Sequence, residues 1–119
     1  MDEKLNKALE FANYRQTLNN QLHKVKIRAQ GSLIYAINGG SFKITKDLIC
    51  FLDYLTRQNV VESAILDDNE MPVYIENIPE FLKTITTRYF EVSNDYFQEY
   101  QQIKKSRNVK SILDIKESQ

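Results

Sequence analysis

The stretch LIYAINGGSFKI, residues 33–44, decides the fold class because it places Asn38 and Gly39 between two apolar runs. An Asn-Gly pair in that setting is the strongest short-range signal of a two-residue type I′ β-hairpin. With that turn Tyr35 faces Phe42, and the apolar partners fall together as a buried sheet face requires. The same parity sets three further pairs, Leu33 with Ile44, Ile34 with Lys43, and Ala36 with Ser41. The stretch therefore predicts an antiparallel hairpin with one core-facing side.

The glycines of this stretch also raise the question of a phosphate-binding loop. Backbone amides at Asn38-Gly39-Gly40 can hold an anion. Phosphate loops, however, place their glycines between a strand and a helix start, with a Lys-Ser/Thr pair or G-x-G-x-x-G spacing. The chain has neither pattern here. The hairpin is therefore favoured over the phosphate loop.

Upstream, HKVKIRAQGSLIYAI, residues 23–37, alternates small or apolar side chains with polar ones. The even positions at its start are polar: Lys24, Lys26, Arg28, Gln30 and Ser32. Period two is the signature of a strand. We predict one long strand bent at Gly31, because glycine inside a strand often marks a sharp bend. A tight turn at that glycine is the alternative.

Helical periodicity appears in two segments that flank this region. Apolar side chains recur at three- and four-residue spacing over residues 2–22 and over residues 45–59. Thr45 is the expected N-cap of the second helix. The run Ile44 to Leu52 is apolar enough for a third strand, which is the alternative there.

A second hairpin is predicted where VVESAIL and MPVYIENI flank Asp67-Asp68-Asn69-Glu70. Its predicted register sets Leu66 opposite Met71 and Ala64 opposite Val73. Pro72 has no N–H, so its strand should lie at an edge or begin there. The acidic run lacks the spacing and central glycine of an EF-hand, so a solvent-facing turn is favoured over a calcium site.

The longest helix is predicted from Pro79 to about Lys105, because Asn77 and Glu80 resemble a capping box. It is crowded with aromatic residues, namely Tyr89, Phe90, Tyr96, Phe97 and Tyr100. At helical spacing these favour packing against a core or a partner helix over base stacking. The tail that follows is polar around the apolar residues Ile112, Leu113 and Ile115.

Length and composition predict one soluble domain over residues 1–119. Lysine plus arginine equals aspartate plus glutamate at 16 each, which excludes binding to nucleic acid by bulk charge. The charged N-terminus argues against a secretory signal. No run approaches the roughly 20 apolar residues that a membrane helix needs, so no membrane span is predicted. The only cysteine, Cys50, excludes an internal disulfide and so fits a reducing compartment. A cytoplasmic location is therefore expected.

Few side chains suggest chemistry. His23 and Cys50 supply one of each type, too few for an ordinary structural zinc site, and Cys50 is expected to be packed in its helix. No cofactor, metal or catalytic activity is expected. The strand register does place Lys24, Lys26, Arg28 and Lys43 on one face of the sheet. Such a strip can follow a phosphate backbone, although a solvated strand face is the alternative.

The order of helix, bent strand and hairpins resembles the Sm and Sm-like small barrels. Ala29, Gly31 and Leu33 match the apolar-Gly-Leu skeleton of the first family motif, and Val73, Ile75 and Ile78 match that of the second. The family's RNA-contacting residues are replaced, by Ile37 and Ser41 in the first motif and by Glu76-Asn77 in the second. The resemblance implies a ring of identical subunits closed by pairing of edge strands.

Over most of its length the chain also resembles small proteins of marine tailed phages that infect cyanobacteria, in NYRQTLNNQ, LIYAINGGSF and AILDDNE. We therefore expect an α+β protein: N-terminal helix 2–22, a small, strongly bent antiparallel Sm-like sheet over 23–78, and a C-terminal helix and tail over 79–119. The expected function is RNA or single-stranded DNA binding by a homo-oligomeric ring. The alternative is a phage structural or assembly protein that binds only phage or host proteins.

Overall fold

The computed structural model describes the backbone of residues 2–117 and the side chains of residues 2–106. Its elements are α1 (Asp2–Ser32), β1 (Ile34–Ile37), β2 (Gly40–Lys43), α2 (Lys46–Arg57), β3 (Ser63–Leu66), β4 (Pro72–Ile75) and α3 (Ile78–Glu117). The expected α+β class, with N-terminal and long C-terminal helices, is confirmed. The chain divides into two compact units, a helical unit of Met1–Arg28 with Asp95–Gln119, and a hairpin unit of Ala29–Asn94.

The predicted bent strand is wrong over residues 23–32, because α1 continues through them to Ser32. Lysine, arginine, glutamine and alanine are good helix formers, and they dominate this segment. The less exposed side chains also follow helical spacing, at Val25 and Ala29 in this segment and at Leu22 just before it. The alternating lysines therefore reflect chance agreement with period two. The turn at Gly31 is likewise excluded, because that residue is helical.

Proline at Ile27 should distinguish a helix from a strand in this segment. The Ile27 side chain is 53% exposed, so its removal costs little packing. Proline would delete a helical hydrogen bond and clash with the preceding turn, at a cost of about 3 kcal/mol. We expect Ile27→Pro to lose helical signal in far-UV circular dichroism, whereas Ile27→Ala should keep it. Equal stability of the two variants would contradict a helix at this position.

The first hairpin has the predicted register. Tyr35 pairs with Phe42, Ile34 with Lys43 and Ala36 with Ser41. The Ile44 N–H donates to the Leu33 carbonyl at 2.6 Å, so Leu33 and Ile44 form one further pair in the same register, as predicted. Asn38 and Gly39 have φ of 50° and 80°, the left-handed values that a type I′ turn requires at both central positions.

The second hairpin is confirmed, but its predicted register is wrong by one residue. Leu66 pairs with Pro72 and Ala64 with Tyr74. The reason lies in the turn: the Asp67 N–H donates to the Met71 carbonyl at 2.9 Å, so the loop between paired positions is residues 68–70 instead of the predicted residues 67–70. The shift leaves Pro72 where its missing N–H faces away from β3, as expected of a proline in an edge strand.

Both hairpins pack against α2 and the start of α3. Thr45 caps α2 as predicted, since its side-chain oxygen accepts from the Leu48 N–H at 3.1 Å. Asn77 caps α3 by accepting from the Glu80 N–H at 3.1 Å. The core of the unit is entirely apolar, and its members are Phe42, Ile44, Leu52, Ile65, Val73, Ile75, Ile78, Phe81 and Ile85.

No closed barrel is formed by residues 2–117, whose strands make two separate two-stranded sheets. A barrel needs a continuous ladder of strands around its axis. The segment expected to supply the long bent strand is helical instead. Two residues of the first Sm motif, Ala29 and Gly31, accordingly lie in α1.

The helical unit pairs the N-terminal part of the chain with the later part of α3. Arg28 forms a salt bridge with Glu99 at 3.4 Å. Both side chains are exposed, so this ion pair contributes little to stability. Less exposed side chains follow three- and four-residue spacing on each helix, at Tyr14, Leu18, Leu22 and Val25 and at Tyr96, Tyr100 and Ile103. The predicted apolar cluster at Ile112, Leu113 and Ile115 lies outside the residues whose side chains are described.

Candidate functional site

The predicted basic face of the sheet does not exist. Lys24, Lys26 and Arg28 lie on α1, and only Lys43 lies on a strand, β2. At 100° per residue, Lys24 and Lys26 are about 200° apart around the helix, so they occupy different flanks. Lys24 and Arg28, four residues apart, share one flank. Three of the four residues therefore lie on a helix instead of on the strand face that the predicted register assumed.

One feature of this basic set is independent of register. From Phe11 through Lys46 the chain carries six lysine and arginine residues and no aspartate or glutamate. Within α1 the side chains of Lys24, Lys26 and Arg28 are all exposed. The later part of α1 is therefore a locally basic helix in a chain of zero net charge.

A different surface is exposed on the second hairpin. Ala64, Leu66, Pro72 and Tyr74 all point away from the core, because their neighbours Ile65, Val73 and Ile75 point into it. We call these four residues the hairpin face. Leu66 pairs directly with Pro72, and Ala64 with Tyr74, so the four side chains form one patch. Leu66 is 63% exposed and Tyr74 is 50% exposed.

Acidic residues surround the hairpin face. Glu62 and Glu76 flank its strands, and Asp68 and Glu70 lie in the turn that joins them. A hydrogen bond to Glu62, partial burial and the negative charges of Glu62 and Glu76 raise the pKa of the Tyr74 hydroxyl above its ordinary value. The face therefore combines an apolar centre with a negatively charged rim.

Hydrogen bonds between the two hairpins hold this face in place. The Asn38 side-chain amide donates to the Tyr74 carbonyl at 2.8 Å. The Asp67 carboxylate accepts from the Ser41 N–H at 3.1 Å, and the Asp68 N–H donates to the Ser41 carbonyl at 3.0 Å. The hairpin face is thus presented by two hairpins that are hydrogen-bonded to each other.

Asp67 fastens its own turn as well as the neighbouring hairpin. Its other carboxylate oxygen accepts from the N–H groups of Asn69 and Met71, each at 2.9 Å. The hydrogen bonds from Met71, Ser41 and Asn69 hold the pKa of Asp67 below its ordinary value. The acidic run is therefore a hydrogen-bonded turn, with Asp68, Asn69 and Glu70 exposed to solvent as predicted.

A carboxyl whose pKa is lowered by folding stabilises the folded state above its unfolded pKa, here about 3.8. That contribution is lost as pH falls through the lower folded pKa. We expect thermal unfolding of the wild type to show this acid loss. Asp67→Asn should lower the melting temperature at pH 7, because an amide has one acceptor oxygen instead of two. It should also reduce the acid dependence, because an amide does not titrate in this range. The same slope below pH 4 in both proteins would contradict the role given to Asp67.

Two other sequence predictions concern Cys50 and the aromatic residues of α3. Cys50 was expected to be packed, and this is wrong, because its side chain is exposed on α2. The aromatic residues of α3 divide between two environments. Tyr89 packs against the core, whereas Phe90 and Phe97 are each 60% exposed.

Within the described part of the chain, no group of three or more His, Cys, Asp or Glu side chains could hold a metal ion.

Sequence reasoning missed the hairpin face because of the one-residue error in register. With Ala64 set opposite Val73, an exposed and a buried residue were paired, so no continuous outer face emerged. The signal was present in the strands themselves, since Ala64 and Leu66 alternate with buried Ile65, and Pro72 and Tyr74 alternate with buried Val73.

No helix in the described part of the chain is both long and apolar enough to cross a membrane. Comparison with known proteins adds no function to this geometry: no protein-family profile, curated protein or solved structure matches the chain.

Proposed function

We propose that the chain is a non-catalytic assembly protein whose hairpin face binds a protein partner. The observation that carries the proposal is the exposed apolar patch of Ala64, Leu66, Pro72 and Tyr74 on a well-packed unit. Exposed apolar patches that are rimmed by polar residues mark interaction sites in soluble proteins. The resemblance to phage proteins supplies the partner class, which is another phage or host component.

The chemistry of the rim specifies the partner further. Glu62, Glu76, Asp68 and Glu70 create a negative potential around the patch, so a partner segment with lysine or arginine beside apolar side chains is complementary. Tyr74 is the best anchor, because tyrosine offers a large apolar ring and a polar tip and is enriched at binding hot spots.

A short synthetic peptide of alternating leucine and lysine provides a defined probe for this surface. We expect it to bind the wild type, and Leu66→Ser and Tyr74→Ser each to weaken binding by roughly thirtyfold, which corresponds to the loss of about 2 kcal/mol that marks a binding hot spot. Phe51→Ser is the matched control, since Phe51 is also exposed, at 47%, but lies on α2. Binding that is weakened equally by all three substitutions, or by none, would refute the assignment.

The second candidate is binding of RNA or single-stranded DNA along α1. The acid-free segment from Phe11 to Lys46 favours it, with Lys24, Lys26 and Arg28 of the helical unit as phosphate contacts. The Sm-like form of this proposal, a ring of identical subunits, is supported only by the apolar skeleton of the second motif, because part of the first lies in α1.

Salt dependence tests the second candidate directly. If three phosphates are contacted, Lys24→Ala, Lys26→Ala and Arg28→Ala together should reduce the slope of log affinity against log salt by roughly 2 for a single-stranded oligonucleotide. Lys83→Ala, at an exposed lysine of α3, is the control and should leave the slope unchanged. An unchanged affinity in the triple variant would contradict nucleic-acid binding along α1.

A further inference from the structure

Strand β1 has an unpaired edge. Leu33, Tyr35 and Ile37 are the residues whose backbone groups face β2, as the hydrogen bond from Ile44 to Leu33 shows. In an antiparallel ladder the intervening residues direct their N–H and C=O groups to the opposite side. Those residues are Ile34 and Ala36, and both are exposed. Among residues 2–117 no strand other than β2 pairs with β1.

We propose that this edge binds the same edge of a second copy of the chain, antiparallel, about a two-fold axis at Tyr35. In that register Ile34 of each copy exchanges two backbone hydrogen bonds with Ala36 of the other, four in total. The two hairpins become one four-stranded sheet, with Tyr35 directly opposite Tyr35 of the second copy. This dimer is independent of the hairpin face, which lies on the other hairpin.

The spacing of the free groups favours a second copy as the occupant. Two outward-facing residues separated by one inward-facing residue are self-complementary under a two-fold rotation, as an isologous interface requires. The edge is also unprotected. Natural edge strands are protected from further pairing by charged residues, especially lysine, or by proline. From Ser32 to Ser41 the chain has no charged residue and no proline.

The remaining edges of the two hairpins are less available. On β2, both backbone groups of Ser41 are bonded to the second hairpin. On β4, the Tyr74 carbonyl accepts from Asn38, and Pro72 has no N–H to donate. On β3, the Ala64 carbonyl already accepts from the Ser63 hydroxyl at 3.2 Å. A fully unengaged pair of residues therefore remains only on β1 among the described strands.

Proline substitutions test this pairing with the full-length chain. The Ala36 N–H points away from β2, so Ala36→Pro removes an intermolecular donor and leaves the hairpin ladder intact. By light scattering after size exclusion we expect the wild type at twice the mass of one chain and Ala36→Pro at the mass of one chain. Leu66→Pro is the matched control, since its N–H also points outward but lies on β3; it should stay dimeric.

The outcomes separate this inference from the proposed function. Ala36→Pro should still bind the leucine–lysine peptide, because the hairpin face is unchanged. If Ala36→Pro loses its native circular dichroism, Ile34→Lys replaces it as the test variant. It should also have the mass of one chain, because a charged side chain at the strand edge opposes pairing. A monomeric wild type, a larger ring, or dissociation by Leu66→Pro and not by the β1 variants would overturn the pairing.

Disulfide formation tests the register. In a Cys50→Ser background, Tyr35→Cys should cross-link two copies on mild oxidation, because the two-fold sets position 35 opposite itself at a spacing that a disulfide can span. Ile37→Cys is the control, because position 37 would face Leu33 of the second copy. Equal cross-linking at both positions, or none at position 35, would overturn the two-fold register.

Discussion

Replacing Phe42 with alanine should lower the free energy of unfolding by about 3–5 kcal/mol, the range found when buried phenylalanines are truncated. Phe42 is only 2% exposed. Its ring meets the Phe81 ring edge-on at a centroid distance of 5.4 Å, so the substitution removes an aromatic contact as well as apolar burial. The cost should be large because the site joins β2 to the start of α3.

Chemical denaturation at pH 7 measures this cost, and Phe90→Ala provides a matched control. Phe90 is the same residue type in the same unit but is 60% exposed. Its truncation should change stability far less, since surface substitutions usually stay within about 0.5 kcal/mol. Similar losses for the two variants would contradict the core assigned to the hairpin unit.

Gly40→Ala should also destabilise the protein, through a clash between the two hairpins. A Cβ at Gly40 would lie 3.3 Å from both Cβ and Cγ1 of Val73 and closer still to its Cγ2. Overpacking of this kind costs about 1–3 kcal/mol. That cost should exceed the roughly 0.4–1 kcal/mol that alanine gains over glycine by restricting the unfolded chain.

A double-mutant cycle with Val73→Ala isolates this clash. Val73 is 6% exposed, so its truncation alone should be destabilising. In the double variant the new methyl group occupies space vacated by the valine. The combined loss should therefore be smaller than the sum of the single losses, with a coupling of about 0.5–3 kcal/mol. Additive losses would show that the two hairpins do not meet at these residues.

The features that the sequence predicted correctly are governed by local chemistry. Asn38-Gly39 selects a type I′ turn because both residues tolerate positive φ, and that turn fixes the register of the first hairpin. Thr45 and Asn77 begin their helices because their side chains accept backbone N–H groups that would otherwise lack partners. Each of these choices is made within a few residues of the chain.

The features that were missed depend on information beyond a local window. Residues 23–32 satisfy a strand pattern and a helix pattern together, and continuation of α1 decides between them. The second register depends on whether Asp67 and Met71 pair with each other, which the composition of the turn does not determine. Because the basic face was derived from the strand at 23–32, it was lost with that strand.

The most direct test of the central claim, that the hairpin face binds a basic amphipathic protein segment, is a calorimetric titration of the wild type with two peptides across a range of salt concentrations. The leucine–lysine peptide should bind, with an affinity that falls as salt screens the acidic rim but persists through apolar contact. The matched leucine–glutamate peptide should not bind. Equal binding of both peptides, or binding of neither, would contradict the account.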